Sequence, residues 1–185
     1  MRKYITATEW VSFYSAINGN SMASRDRVMF MMAYHHGLRV SELCNLKISD
    51  IDLDSKTVFI KRLKNGFSTT HPLQDLTCEL IKKWLDERKA FSPVPDNDWL
   101  FLSFYGKKIS RQWIYKLSRH YSIKAGLAVN VHPHMLRHAC GYALANQGLD
   151  TRLIQDYLGH KNIFHTVHYT ASNSARFNKV WKNTG

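Results

Sequence analysis

The chain has 185 residues, of which 44% are hydrophobic and 12% aromatic, which is enough for one sizeable core and too few for several ordinary domains. Lys and Arg exceed Asp and Glu by 26 to 14, and this formal net charge of +12 favours a polyanionic partner, nucleic acid before a membrane surface. A merely basic soluble enzyme is the alternative. No apolar run approaches the ~18 residues of a membrane span, and MRKYITATEW lacks the apolar part of a signal peptide, so we expect a cytoplasmic protein.

The first part of the chain predicts two helices and a junction. Thr6 and Glu9 form a capping-box pair ahead of an apolar face, so the first helix begins there. A second helix, over about 24–36, has VMFMMAY as its buried centre and ends at Gly37. Arg39 follows at once, where a side chain can leave the core and face a ligand.

Residues 56–63 and 67–73 predict two strands, joined by a turn through Lys64, Asn65 and Gly66. Asn-Gly between strand-like runs is a strong hairpin signal, because both residues tolerate a positive φ. Lys64 therefore lies at or beside an exposed tip. A hairpin set among helices gives the predicted fold class, mainly α with a small antiparallel β-sheet (α+β).

The middle of the chain predicts a helix, a strand and a basic surface. The helix, at 75–89, has five side chains facing inward, those of Leu76, Leu80, Ile81, Trp84 and Leu85. WLFLSF, at 99–104, predicts a short strand. In the basic turn and helix at 105–126, cationic side chains interleave with aromatic ones and can track a DNA backbone. The candidate DNA-binding residues are Lys107, Lys108, Arg111, Lys116 and Arg119, and a solvated basic helix face is the alternative.

The segment 132–169 concentrates residues suited to chemistry on a phosphate diester. A helix that starts after a proline brings His134 and Arg137, three positions apart, to one face. The next helix ends at a glycine and leaves His160 just past its end, and Tyr169 follows nine residues later. A guanidinium binds phosphate oxygens, a neutral imidazole moves protons near neutral pH, and an assisted phenol is a nucleophile.

The pattern HMLRH at 134–138, LGH at 158–160 and Tyr169 resembles the catalytic segment of the tyrosine recombinases, the phage integrase family. Among them the chain is most similar to the short fimbrial invertases of enteric bacteria, and the resemblance extends through RLKNGFSTTHPL to nearly the whole chain. It implies the tyrosine recombinase catalytic-domain fold. It also implies a single catalytic domain over 1–185, without the separate N-terminal domain of most family members.

The resemblance assigns roles to particular residues. Two arginines clamp the scissile phosphate, and an acidic residue supports the first of them. A lysine on the hairpin protonates the leaving 5′ oxygen, one histidine is the acid/base partner of the nucleophile, and another donates a hydrogen bond to the phosphate. The implied catalytic residues are Arg39, Lys64, His134, Arg137, His160 and the nucleophile Tyr169, with Glu42 supporting Arg39.

The implied reaction is transesterification through a 3′-phosphotyrosine link with a free 5′ hydroxyl. Because this link keeps the phosphodiester energy, neither ATP nor a metal nor another cofactor is expected. The implied partner is double-stranded DNA with inverted repeats flanking a promoter segment, bound by a synaptic homotetramer with possible help from DNA-bending proteins. Inversion would then control fimbrial phase variation in a bacterial cytoplasm.

Four other readings stay open. Three of them are an integrase or excisionase of a mobile element, a DNA-binding regulator with an idle catalytic site, and a type IB topoisomerase with the same chemistry. The fourth is a metal enzyme. It is the least favoured, because neither acidic nor Cys ligands join its histidines, which are His132, His134, His138, His165 and His168.

Overall fold

A computed structural model of the protein describes residues 2–62, 66–92, 96–171 and 177. Over these ranges the helices are α1 (Ala7–Ser15), α2 (Ala23–His36), α3 (Val40–Cys44), α4 (Asp75–Arg88), α5 (Arg111–Lys124), α6 (Pro133–Asn146), α7 (Thr151–Leu158) and α8 (Phe164–Ala171). The strands are β1 (Ile51–Asp52), β2 (Thr57–Ile60) and β3 (Thr69–Pro72), and a short 3-10 helix at Ile48–Asp50 precedes them. The predicted class, mainly α with a small antiparallel sheet, is confirmed.

Helix α1 begins at the predicted capping box. The hydroxyl of Thr6 accepts a hydrogen bond from the backbone N–H of Glu9 at 3.2 Å, and the Glu9 carboxylate accepts one from the backbone N–H of Thr6 at 3.0 Å. Trp10 on this helix stacks on Tyr34 of α2, with ring centroids 4.3 Å apart. The N-terminal helix is therefore part of the same core as α2.

Helix α2 lies at the centre of the molecule. Residues 28–33 are buried, which confirms the Met-rich centre predicted from the sequence, and α2 packs against both α4 and α6. It ends at Gly37, which has a φ of 62°. The chain turns there, and Arg39 comes directly before the first residue of α3. The predicted junction is confirmed.

Strands β2 and β3 pair antiparallel, with Val58 opposite His71 and Ile60 opposite Thr69, as the hairpin signal predicted. Strand β1 was not predicted, because its pairing with β2 covers only 51–52. At the turn, Lys64 and Asn65 lie outside the described residues.

The strand predicted at 99–104 is wrong. The backbone groups there bond to other partners: the N–H of Leu100 donates to Leu46 O at 2.9 Å, and Leu100 O accepts from the indole of Trp84 at 2.8 Å. Arg25 donates to Leu102 O at 2.8 Å. Side chains and a loop thus satisfy the groups that a neighbouring strand would have bonded.

The inward face predicted for α4 is partly wrong. Ile81 and Trp84 are fully buried, as expected, but Leu76 is 55% exposed. Thr77 and Cys78 are buried in its place, so the buried stripe begins about one residue later than the leucines suggest.

The three cysteines, Cys44, Cys78 and Cys140, are free and buried. Among the helices in the described ranges, none has both the length and the apolar character that crossing a membrane requires.

Candidate active site

Two buried arginines donate hydrogen bonds to carbonyl groups at the ends of α2 and α7. Arg62 donates to the carbonyls of His36, at 3.2 Å, and Tyr157, at 3.0 Å. Arg137 donates to the carbonyl of Gly37 and, at 3.1 Å, to that of the last residue of α7. The final carbonyls of a helix lack partners within the helix and carry the negative end of its dipole, so they suit cations. Two helix ends thus fix the guanidiniums in place.

Glu42 links the arginines to one another. Its Oε1 accepts from the backbone N–H of Arg39 at 2.7 Å and from Arg62 at 2.9 Å, and its Oε2 lies 3.4 Å from the Arg39 guanidinium. Burial, followed by repulsion from Arg39 and Arg62, lowers the pKa of Arg137 to about 10, so Arg137 still carries its charge at neutral pH. Arg39 and Arg62 contact the carboxylate of Glu42, and Arg137 lies near enough to be affected by its charge. Three guanidiniums against one carboxylate leave a surplus of positive charge, which favours an anion.

Arg62 was missing from the predicted site. It follows Val58 and Ile60 at intervals of two residues, and all three side chains are buried. Because alternate residues of a strand share a face, this parity places Arg62 inward. The signal was present in the sequence, but a charged residue at the end of a strand-like run is usually solvated.

His160 lies between Arg137 and Thr166. Its Nε2 is 2.8 Å from Arg137, and its Nδ1 is 2.8 Å from the Thr166 hydroxyl. A guanidinium can only donate, so Nε2 accepts in this arrangement and Nδ1 carries the proton. Burial, together with the nearby arginines, lowers the pKa of His160 to about 3. Before DNA binds, His160 is therefore neutral and is a hydrogen-bond acceptor for Arg137.

Tyr169, on α8, lies flat against α6. A Cβ built on Gly141 would come within 2.6 Å of the ring, so the close approach requires glycine. The ring of Tyr142 meets that of Tyr169 edge-on, with centroids 5.2 Å apart. Tyr169 is only 2% exposed, and burial raises the pKa of its phenol, against the opposing effect of Arg137.

The hydroxyl of Tyr169 contacts His138, which was part of the recognised pattern but was given no role in the recombinase reaction. Tyr169 Oη is 2.9 Å from His138 Nδ1, and His138 Nε2 is 2.8 Å from His134 Nε2. His134, which was expected to act on Tyr169, thus reaches the phenol through a second imidazole. These two histidines are four residues apart on α6 and share a face.

The hairpin that carries Lys64 is anchored beside His160. The backbone N–H of Phe67 donates to Gly159 O at 2.9 Å, and Gly66 forms a bridge with His160. The ammonium of Lys161 lies 5.3 Å from the centre of the Phe67 ring. Lys64 is outside the described residues, but Gly66 and Phe67, just before β3, are fixed to the end of α7.

The five candidate DNA-binding residues are exposed, and their surroundings differ. The ammonium of Lys108 lies 4.2 Å from the centre of the Trp99 ring and donates to Asn45. That of Lys116 lies 5.9 Å from the centre of the Trp113 ring, and Trp113 is itself 44% exposed. These residues, which are Lys107, Lys108, Arg111, Lys116 and Arg119, form a basic surface on α5 and the turn before it.

The arrangement brings an arginine cluster, neutral imidazoles and a phenol together in one site, a combination that suits phosphoryl transfer to Tyr169. Over the described ranges, no group of three or more His, Cys, Asp or Glu side chains is placed to hold a metal ion, so the histidines of the metal reading do not assemble into a ligand set.

Two solved structures share this fold. The crystal structure of XerA recombinase superposes with a TM-score of 0.82 at 29% identity, over 97% of this chain and 64% of that one. XerH site-specific recombinase, bound to a palindromic difH substrate in a post-cleavage complex, gives a TM-score of 0.81 at 28% identity, over 96% of this chain and 52% of that one. The chain therefore spans less than two thirds of either solved chain.

Fold and site together define a site-specific tyrosine recombinase, an enzyme that exchanges DNA strands. The chain belongs to the phage integrase family, whose profile matches residues 3–176. It is 49% identical to the type 1 fimbriae regulatory protein FimB of Escherichia coli strain K12, over 97% of this chain and 90% of FimB. It is 48% identical to FimE of the same strain, over 98% of this chain and 91% of FimE.

Proposed function

We propose that this recombinase inverts a promoter segment between two inverted repeats and thereby switches fimbrial expression, with Tyr169 as the nucleophile. The assignment of Tyr169 as the nucleophile rests on its packing against α6, where the charges of Arg137 and Arg39 act on its phenol. The match with two fimbriae regulatory proteins over nearly their full length supports the biological role.

In the proposed reaction, Arg39 and Arg137 bind the non-bridging oxygens of the scissile phosphate and stabilise the pentacoordinate state. Glu42 holds Arg39 in place. Tyr169 Oη forms the new bond to phosphorus while the bond to the 5′ oxygen breaks, and Lys64 gives that oxygen its proton.

The proposed role of His160 is to donate a hydrogen bond to the phosphate. Its Nε2 accepts from Arg137 in the structure, so the ring must first gain a proton there. An anionic phosphate nearby favours the protonated ring and thus the change from acceptor to donor. His134 serves as an acid/base partner of Tyr169, through the contact with His138.

The surroundings of the reaction are also proposals. The exposed basic residues on and before α5 contact the DNA backbone. Synapsis of two sites uses a homotetramer, with DNA-bending proteins as possible helpers, and the reaction takes place in a bacterial cytoplasm. It needs neither metal nor ATP.

The chemistry is tested with nicked duplex DNA that carries one inverted repeat, incubated with the protein in chelator and separated under denaturing conditions. A covalent protein–DNA band is expected from the wild type and not from Tyr169→Phe, which keeps the ring against Gly141. The matched control is Tyr142→Phe, which removes a neighbouring hydroxyl and should leave the band. A band that persists in Tyr169→Phe contradicts the assignment.

The biological role is tested with plasmids that carry two repeats. Inversion of the segment between inverted repeats is the expected product. Fusion of two plasmids or excision of a circle, in preference to inversion, would favour an integrase or excisionase. Relaxation of a plasmid without repeats would favour a topoisomerase. Binding to the repeats without a covalent band would favour a regulator with an idle site.

A further inference from the structure

We propose that His138 is a catalytic residue of this recombinase, the group that takes the proton from Tyr169, and that His134 passes the proton on to solvent. The inference rests on the proposed role of Tyr169 as nucleophile and goes beyond it by giving the phenol a specific base.

The contacts allow one arrangement of protons that makes His138 a base. Tyr169 Oη donates to His138 Nδ1 at 2.9 Å when that nitrogen carries its lone pair. His138 then has its hydrogen on Nε2 and donates it to His134 Nε2 at 2.8 Å. His134 in turn carries its hydrogen on Nδ1. Each imidazole is neutral, and each contact pairs a donor with an acceptor.

The surroundings of His138 keep it neutral, so the lone pair on Nδ1 is free to accept the hydrogen of Tyr169, and the transfer of the Nε2 hydrogen to His134 in the same step leaves the ring neutral. Burial and repulsion from its neighbours lower its pKa to about 4. The neighbours that face it are His134 and Arg137 on α6, His168 and Tyr169 on α8, and Lys3 in the N-terminal segment. A phenol whose pKa is raised by burial does not ionise unaided at neutral pH, so it needs a base in direct contact.

From His138 the proton can reach solvent through His134. His134 is exposed and lies on the wall of an open cavity of about 670 Å³. His138 itself also lines this cavity, and the rest of the wall is basic and aromatic and includes Arg2, Lys3, His132, Tyr142 and His168. Burial, together with nearby cations such as Arg137 and Lys3, lowers the pKa of His134, so the extra proton leaves to solvent.

The proposed step balances in atoms and charge. The Oη–H bond of Tyr169 breaks and its proton moves to His138 Nδ1. The Oη–P bond forms as the bond from phosphorus to the 5′ oxygen breaks, and that oxygen takes its proton from Lys64. The proton on His138 Nε2 moves to His134 Nε2, and the proton on His134 Nδ1 goes to water in the cavity. Both imidazoles end neutral, as the other tautomer, and the reverse transfers return the proton when a 5′ hydroxyl attacks the phosphotyrosine.

The test measures the rate of covalent adduct formation on the nicked duplex with His138→Asn. The Asn amide can accept the hydrogen bond from Tyr169 and keep the ring in place, but it cannot take the proton. Loss of a general base slows a reaction typically by about 100-fold or more, so we expect a fall of that order with unchanged DNA binding. His165→Asn, which removes an exposed imidazole outside the relay, is the matched control and should keep its rate.

A second measurement separates a base from a residue that only holds Tyr169 in position. A polyfluorinated tyrosine incorporated at position 169 has a far more acidic phenol and needs no base. We expect it to restore most of the rate in His138→Asn, and we expect the variant with ordinary tyrosine to gain rate with rising pH more steeply than the wild type.

The outcomes separate the proposal from the function on which it rests. Equal adduct rates in wild type and His138→Asn overturn the role of His138 and leave Tyr169 as the nucleophile. So does a slow variant that the fluorinated tyrosine fails to rescue. No adduct from the wild type, on nicked repeats that it binds, overturns the proposed function and the base together.

Discussion

Gly141 and Tyr169 are in direct contact across the α6–α8 interface, and a Cβ on Gly141 would lie 2.6 Å from Cζ of the tyrosine ring. The hydroxyl of the same ring meets His138, one turn earlier on α6. Helix α6 thus sets both how deeply Tyr169, the proposed nucleophile, is buried and which residue its hydroxyl contacts.

Gly141→Ala should therefore displace Tyr169 and slow adduct formation by at least about 10-fold, while DNA binding is retained. In a helix interior, alanine is favoured over glycine by about 1 kcal/mol, so helix propensity alone would stabilise the variant. A loss of stability accompanied by slow cleavage identifies the contact with Tyr169 as the cause. Cleavage at the wild-type rate would show that the ring does not need this position.

Glu42→Gln should destabilise the protein by about 3 kcal/mol, because a buried arginine cluster then lacks its negative partner. A bound DNA phosphate supplies negative charge to the same cluster, so we expect duplex DNA to raise the melting temperature more in this variant than in the wild type. Thermal unfolding with and without duplex measures both effects. Glu79→Gln, at an exposed site on α4, is the control, and an equal gain in both variants would contradict the prediction.

Lys64→Ala should lose most of its cleavage on ordinary DNA, because the departing 5′ oxygen then lacks a proton donor. Replacing that bridging oxygen with sulfur, which leaves without protonation, should restore cleavage to this variant. The same substrate should not rescue Arg137→Ala, whose defect lies in phosphate binding. If sulfur fails to rescue Lys64→Ala, the lysine is not the general acid.

The buried pair His36 and His71 should make stability fall in mild acid. The Nδ1 atoms of the two rings are 2.9 Å apart, and burial with the nearby Arg62 lowers the pKa of His71 to about 4. Since an unfolded histidine titrates near 6.5, the unfolded chain binds more protons between these values. The stabilisation is complete above about pH 6.5 and falls, by on the order of 3 kcal/mol, as the pH drops to about 4.

Urea unfolding at several pH values measures this slope. His71→Gln, whose amide can still donate to the carbonyl of Tyr157, should give a shallower dependence on pH. Identical slopes in the two proteins would show that His71 does not titrate on unfolding.

DNA binding should weaken steeply with salt, because phosphate contacts release counterions. Lys116→Ala should weaken binding on all sequences alike and reduce the logarithmic salt slope by about 1. Lys82→Ala, at an exposed position on α4, should leave the slope unchanged. Equal slopes for Lys116→Ala and the wild type would remove this lysine from the DNA-binding surface.

Local chemistry explains which features the sequence predicts well. The capping box at Thr6 and the stop at Gly37 depend on neighbouring residues, and both are found in the structure. The role of the 99–104 segment depends on distant partners such as Trp84 and Arg25, so a strand was predicted wrongly there.

The same distinction holds in the site. The recognised pattern picked out Arg137 and His160, which the structure brings within 2.8 Å of each other. It did not find Arg62, whose partners are carbonyls at the ends of α2 and α7. Nor did it show that His138 lies between His134 and Tyr169, since that order depends on how α8 packs on α6.

The burial of Tyr169 also protects DNA outside the target site from being nicked. A recombinase slides over far more ordinary DNA than target DNA, and an accessible activated phenol would nick any backbone it met. With 2% of its surface exposed, Tyr169, the proposed nucleophile, is out of reach of passing phosphates. If Tyr169 is the nucleophile, strand breakage requires that the surroundings of its ring open to the scissile phosphate while the contact with α6 is kept, and the binding energy of the correct site is what can drive that opening.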